Sequence, residues 1–407
     1  MPIEKRVLPN GVRVLVERAP HVQSAAIGLW CRTGSRHERP GEEGITHLIE
    51  HMLFKGTKHR SAKQIAEDIE GRGGMLNAFT DKEQTCYYCR VLADDVAVGV
   101  DVLADMMVHS LLDTDELARE KHVVLEEIKR GEDEPGDHVH ELHLQYRWGD
   151  HPLGKPIIGT KESVSSFSRD DLTRYVGRRY RAENVVLAVA GNVDPDAFRA
   201  LAEEKLADFV ASEPEDTVSR PVGVAGKHEV AKDVEQVHFC IGTDSCSVYD
   251  DDLYVAAVLD GVLGSGMSSR LFQEIREKRG LAYAIGSYNL AYTSGGAFTV
   301  YGGTGLETWN QVQSLVREEF DKLIRDGVPG DELRRTKKLL SGNMVLALEG
   351  MSARMMRATR NEFVHGRDVP VEETLARIEA VTPAQVQEMA LRILAEDRIT
   401  TTAIGPF

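Results

Sequence analysis

THLIEHMLFKGT, residues 46–57, sets two histidines and a glutamate inside an otherwise apolar run. At 3.6 residues per turn, His47, Glu50 and His51 stand at i, i+3 and i+4 and project from one helix face. Leu48, Ile49 and Leu53 cover the other faces. Two imidazoles one turn apart can close on a single ion. A lone histidine in such a run is most often a core residue with a backbone partner, but a pair with an adjoining glutamate points to a metal.

A catalytic zinc needs a third protein ligand, usually from another element, and an open position for water. The stretch TDELAREKHVVLEEIKR, residues 114–130, predicts a helix capped by Asp113 or Thr114. Leu117, Val124, Leu125 and Ile128 form its apolar side, and Glu126 precedes Arg130 by four residues, as a solvated ion-pair partner would. Glu120 and Glu127 are seven apart, share a face with Val124 and point inward together. Two inward carboxylates require a cation, and helix geometry alone leaves either as the third ligand.

The first half of the chain recurs in the second. At an offset of 214, AIG (Ala26 to Gly28) faces CIG (Cys240 to Gly242), and SRDDLTRYV faces TPAQVQEMA. Ser168 to Gly191 and Thr382 to Gly405 span equal intervals, both closing on a strand. The same offset turns Leu48 and Ile49 into Val262 and Leu263, but His47, Glu50 and His51 into Gly261, Gly264 and Ser265. Packing residues persist while the polar triad is lost, which suits a triad kept for chemistry. The expected organisation is residues 1–211 with the metal site, a Pro-broken connector at 212–223, and a homologous domain at 224–407 without metal ligands. β-branched strands paired as hairpins predict α+β domains with antiparallel-rich sheets packed with helices.

Composition agrees with two domains, because 407 residues exceed what one core usually encloses. Hydrophobic content of 42% and charged content of 28% are those of a globular protein. No apolar stretch approaches the roughly 18–20 residues of a membrane span. No secretory signal is visible, and five cysteines suit a reducing compartment, so the expectation is cytoplasmic. A net charge of −16 argues against nucleic acid and leaves room for basic peptides.

HLIEHMLFKGT, followed by NAFTDKEQTCYY and EKHVVLEEI, resembles the inverted-zinc-motif peptidase family of pitrilysin, insulin-degrading enzyme and the mitochondrial processing peptidase. The resemblance covers nearly the whole chain and implies the processing-peptidase-like fold. The family's glutamate ligand stands about 76 residues beyond the second histidine, which selects Glu127. Glu120 is then implied as an auxiliary acid, and Arg276 and Tyr283 as residues reaching the site from another domain. A substrate would add as a strand along LNAFTD, at Asn77 and Ala78, with Phe54 lining a pocket. The resemblance also implies one Zn²⁺ per chain, an endopeptidase acting on short or unfolded peptides, and a homodimer enclosing a chamber.

His47, His51 and Glu127 leave about one net positive charge on zinc, which brings bound water toward a pKa of ~7. Glu50 would be general base and then general acid, and Arg276 and Tyr283 would stabilise the oxyanion. Two rivals are a non-catalytic or partner-activating subunit of the same fold and an enzyme like the S-ribosylhomocysteine lyases. The intact motif opposes the first; the second is much smaller and uses a cysteine ligand. Elsewhere, CYYC reads as two buried reduced thiols on opposite strand faces, DHVHELH as a solvated helix face, and LGSGMSSR lacks the pattern of a phosphate loop. Met351, Met355 and Met356 read as helix core.

Overall fold

Strands rich in β-branched and small apolar residues, several of them buried on both faces, place β1 (Glu4–Val7), β2 (Arg13–Arg18), β3 (Ser24–Cys31), β4 (Met75–Thr80), β5 (Thr85–Leu92) and β6 (Val185–Gly191) in one sheet, ordered β1-β2-β6-β3-β5-β4. Only β2 and β6 run parallel; the other neighbours are antiparallel. This computed structural model describes residues 3–210 and 219–407, and the expected connector falls partly on residues 211–218, outside the described residues.

Helices α1 (Ile45–Leu53), α2 (Ala62–Glu70), α3 (Val96–His109), α4 (Thr114–Asp133), α5 (Pro135–Trp148), α6 (Lys161–Ser166), α7 (Arg169–Arg179) and α8 (Pro195–Lys205) accompany these strands in the chain. One core joins Ile27 and Leu29 of β3 to Leu48, Ile49 and Met52 of α1, Leu103 of α3 and Val124 of α4. Full burial of each such aliphatic side chain contributes about 1.5–3 kcal/mol.

The second half builds β7 (Gly226–Ala231), β8 (Val237–Ser245), β9 (Ala282–Ala291), β10 (Gly296–Thr304) and β11 (Thr400–Gly405), ordered β7-β11-β8-β10-β9. Its helices are α9 (Leu253–Leu263), α10 (Trp309–Asp326), α11 (Gly330–Ala347), α12 (Met351–His365), α13 (Val371–Ala380) and α14 (Pro383–Ile393). The order repeats that of β2-β6-β3-β5-β4, including the single parallel pair. Registers differ: Ala26 faces Ala190, whereas Cys240 faces Thr402 and not Ile404. A two-residue slip keeps every side chain on its face. Both sheets are thus mixed, in an α+β architecture.

The two compact units do not follow a single cut in the chain. One holds residues 3–129, 156–210 and 347–368, and the other residues 130–155, 219–346 and 369–407. Helices α5 and α12 are therefore exchanged. In the first unit, Met355 and Ala358 of α12 cover the sheet face carrying Trp30, Cys86, Val186 and Ala188. In the second, Val139 of α5 packs on Cys240 and Ile404, and Leu144 and Trp148 on Ala297. Met355 is fully buried, as expected of helix core, and Cys86 and Cys89 are buried free thiols in cores on opposite faces of their sheet. Among the described residues no helix is long and apolar enough to cross a membrane.

The expectation for DHVHELH is corrected. His143 is fully buried with Nδ1 3.2 Å from Thr402 Oγ1, and His140 Nδ1 stands 2.8 Å from Tyr288 Oη. The acidic residues of the stretch alternate with the side of α5 that lies on a sheet, so net charge misjudged the face.

Burial first, then neighbouring Arg147, pushes His143 down to about 3. A histidine depressed in the folded state charges more readily when unfolded. Its contribution is therefore complete above the ordinary value of about 6.5 and is lost as pH falls toward 3, at about 1.4 kcal/mol per pH unit. Urea unfolding of wild type and His143→Gln between about pH 4 and 6 should show a shallower pH slope in the variant; equal slopes would remove His143 from the acid sensitivity.

Candidate metal centre

Helix α1 starts without a side-chain cap of its own. Gly44 occupies the cap position at φ 89°, and a Cβ there would stand 2.4 Å from the Ile158 carbonyl oxygen, so both conformation and space require glycine. The buried Glu38 carboxylate supplies the missing acceptor, taking the N–H groups of Gly44 at 2.9 Å and Thr46 at 3.0 Å. Burial pushes Glu38 up to about 8, against the downward pull of those two N–H donors. Thr46 Oγ1 is also 2.8 Å from Tyr175 Oη on α7. These contacts set the rotation of the helix, and Leu48, Ile49, Met52 and Leu53 bury its apolar sides completely or nearly so.

The remaining face carries His47, Glu50 and His51. The imidazole centroids are 4.7 Å apart, and Glu127 Oε2 of α4 lies 4.0 Å from His47 Nε2 and 3.7 Å from His51 Nε2. One ligand atom from each of the three residues falls within 4.8 Å of the others. A tetrahedral zinc with bonds of about 2.0–2.2 Å would space its ligand atoms roughly 3.4 Å apart, so this donor set fits the ion. Burial, then the neighbouring His51, pushes His47 down to about 4 and keeps it neutral, as a ligand must be.

Glu120 and Glu127, left open by helix geometry, occupy different positions. Glu120 is buried, accepts from His51 Nδ1 at 3.0 Å and pairs with Lys55 Nζ at 2.8 Å. Burial alone would raise it, yet His51 and Lys55 together hold it below the usual carboxylate range. It therefore orients the ring whose other nitrogen faces Glu127. Glu126 is exposed and pairs with Lys129, three residues on, and not with Arg130. Asp113 caps α4 by accepting from Asp115 and Glu116.

Glu50 accepts a hydrogen bond from Thr80 Oγ1 at 2.5 Å. Its carboxyl is raised, chiefly by burial, with Thr80 and His51 pulling the other way and Glu127 adding to the rise. Neither Thr80 nor Lys55 was foreseen. Lys55 follows His51 by four positions, and Thr80 shares a face of β4 with Ala78 two residues before it, so both signals were present as spacing.

Among the described residues β4 pairs with β5 alone and forms the sheet edge. Asn77 is exposed there, and its Oδ1 accepts the Ala78 backbone N–H at 2.8 Å. Phe54 is half-buried against the core, 6.1 Å from the Tyr87 ring. Arg276 and Tyr283 belong to the second unit, where the guanidinium lies 4.6 Å from the Phe272 centroid and 5.2 Å from that of Tyr283. Tyr283 is 81% exposed.

Residues 13–161 match the profile of insulinase, peptidase family M16, and residues 166–340 match the M16 inactive domain. The chain belongs to peptidase family M16. A Bacillus subtilis relative, the uncharacterized zinc protease YmxG, is 41% identical over 97% of this chain and 96% of its own length. A Streptomyces coelicolor zinc protease, also uncharacterized, is 38% identical over 99% of this chain and 90% of its own. Two solved structures share the M16 fold. An M16 inactive-domain protein from Pseudomonas fluorescens has a TM-score of 0.92 at 21% identity, over 100% of this chain and 98% of that one. A Helicobacter pylori protease has a TM-score of 0.90 at 21% identity, over the whole of both chains.

Glu120→Gln should preserve the fold and lower zinc affinity by about 10–100-fold, because it removes the anionic acceptor that orients His51. Competition titration with a chromophoric chelator reads this, and an unchanged affinity would leave Glu120 with no part in holding the ring.

Proposed function

We propose that this M16 chain is a zinc-dependent endopeptidase that hydrolyses peptide bonds in extended peptides. The observation carrying this reading is the convergence of His47, His51 and Glu127 within 4.8 Å beside the unligated carboxylate of Glu50. Three carboxylates, Glu50, Glu120 and Glu127, gather around two imidazoles and one ammonium, Lys55, a balance that a divalent cation completes. His47, His51 and Glu127 would hold one zinc per chain, and zinc there supplies Lewis acidity to a scissile carbonyl and acidifies water.

Glu50 takes the proton of the attacking water and delivers it to the leaving amine. Thr80 aims its carboxylate by donating to one oxygen and leaves the other free to receive that proton. The free edge of β4 offers main-chain groups to an extended substrate, at Asn77 and Ala78. Because the Asn77 side chain occupies the Ala78 N–H, an incoming strand displaces it. The Arg276 guanidinium over the exposed Tyr283 ring presents a cation and a phenol suited to an oxyanion. Pairing of two chains around a chamber would limit cleavage to unfolded peptides, and the net charge of −16 favours basic ones.

Glu50→Gln should retain zinc and lose about 10²–10⁴ or more in peptide hydrolysis. Glu127→Ala should lose both metal and activity, while Glu126→Ala should change neither. Zinc content measured beside cleavage of a quenched peptide checks all three; a Glu126→Ala protein stripped of metal would sink the ligand assignment.

If Arg276 and Tyr283 serve a partner's site, Glu50→Gln and Arg276→Ala/Tyr283→Phe should each be nearly inactive alone. Mixing them under subunit exchange should then restore up to about a quarter of wild-type activity, since half the statistical dimers hold one good site of two. Demonstrated exchange with no recovery would exclude completion in trans.

A further inference from the structure

A cavity of about 450 Å³ in the first unit has none of the residues of the proposed catalytic centre in its wall. It is lined instead by His59, Arg60, Asp101, Asp105 and His109, among others. Asp105 and His109 stand at i and i+4 on α3, and His59 comes from the segment joining α1 to α2. The His59 and His109 rings meet edge to face, with centroids 5.1 Å apart and planes at 86°. One ligand atom each from His59, Asp105 and His109 lies within 4.8 Å of the other two.

The positions of these three groups are prearranged. Thr57 Oγ1 donates to Asp105 Oδ2 at 2.6 Å and accepts the His59 N–H at 3.0 Å, so one hydroxyl ties the loop ligand to the helix ligand. The Lys58 N–H donates to the His109 carbonyl at 3.0 Å. Asp105 is only 5% exposed, and while its Oδ2 is satisfied, its Oδ1 is buried without a hydrogen-bond partner among the described residues. A buried carboxylate oxygen left unpaired costs about 1–3 kcal/mol or more, which a bound cation would recover.

Charge decides the sign of the ligand. Arg60 is engaged by Asp68 at 2.8 Å, Asp101 at 2.5 Å and Asp105 at 2.8 Å, and Lys205 by Asp101 at 2.8 Å. Both cations of the wall are thus already countered, and two imidazoles and an orphaned carboxylate oxygen remain. Hard ions such as Ca²⁺ and Mg²⁺ take oxygen ligands, whereas a His₂Asp set suits a borderline transition ion. We propose that His59, Asp105 and His109 form a second divalent transition-metal site, for Zn²⁺, whose three protein ligands leave a coordination position open to an external donor.

Zinc binding by the full chain tests this, with metal-free protein titrated with Zn²⁺ alone and bound metal counted by elemental analysis after desalting. Wild type should bind two equivalents and His59→Ala one, because a three-ligand site loses a direct ligand. His59 is exposed, so its removal should leave thermal unfolding of the metal-free protein unchanged; His109→Asn gives an independent second variant. Co²⁺ in place of zinc should give visible d–d absorption that loses one component in either variant. A wild type whose metal is all lost in His51→Ala, or a His59→Ala protein that keeps as many equivalents as wild type, would overturn the proposal. His51→Ala separates this inference from the catalytic reading, because it should remove the other equivalent and leave the one held by His59.

Discussion

Everything at the face of His47, Glu50 and His51 depends on how α1 is buried. Leu48, Ile49, Met52 and Leu53 are essentially inaccessible, so only one stripe of the helix is free, and that stripe is His47, Glu50 and His51. A rotation of the helix would expose aliphatic surface and bury an imidazole without a partner, each at a cost of kcal/mol. Glu38 and Gly44 fix the helix start, and Tyr175 fixes its side through Thr46. The chemistry is thus positioned by apolar packing and one buried carboxyl, before any ligand of an ion is considered.

The second unit shows the same frame without the polar stripe. Val262 and Leu263 are buried as Leu48 and Ile49 are, but α9 ends at Leu263. A Cβ on Gly264, where the first half has Glu50, would stand 2.2 Å from the Ser287 backbone nitrogen. The strand β9 closes against the helix end, so no side chain fits at the position that Glu50 holds in the first unit. Asp260 accepts from Ser287 Oγ at 2.5 Å and is pushed up to about 6 by burial, a structural carboxyl beside a closed site.

Local features of the sequence were legible because their causes are local. Spacing of three and four placed His47, Glu50 and His51 together, and the 214-residue repeat anticipated two sheets of one strand order. The resemblance chose Glu127 where helix geometry stopped at two glutamates. The exchange of α5 and α12 was not legible, since an apolar stripe does not say which sheet it will cover. His140 and His143 were misplaced for that reason, their acidic neighbours outweighing the stripe of Val139, Leu144 and Trp148. The cluster of His59, Asp105 and His109 was missed because its members lie 46 and 50 residues from the loop histidine and meet only through tertiary packing.

Anomalous diffraction at the zinc edge from crystals of the zinc-loaded full chain would locate the ion. A strong anomalous peak is expected between His47 Nε2, His51 Nε2 and the Glu127 carboxylate, with Glu50 nearby but beyond bonding distance. A zinc-loaded chain with no peak between those three side chains, or with Glu120 or Glu126 bonded in place of Glu127, would contradict it.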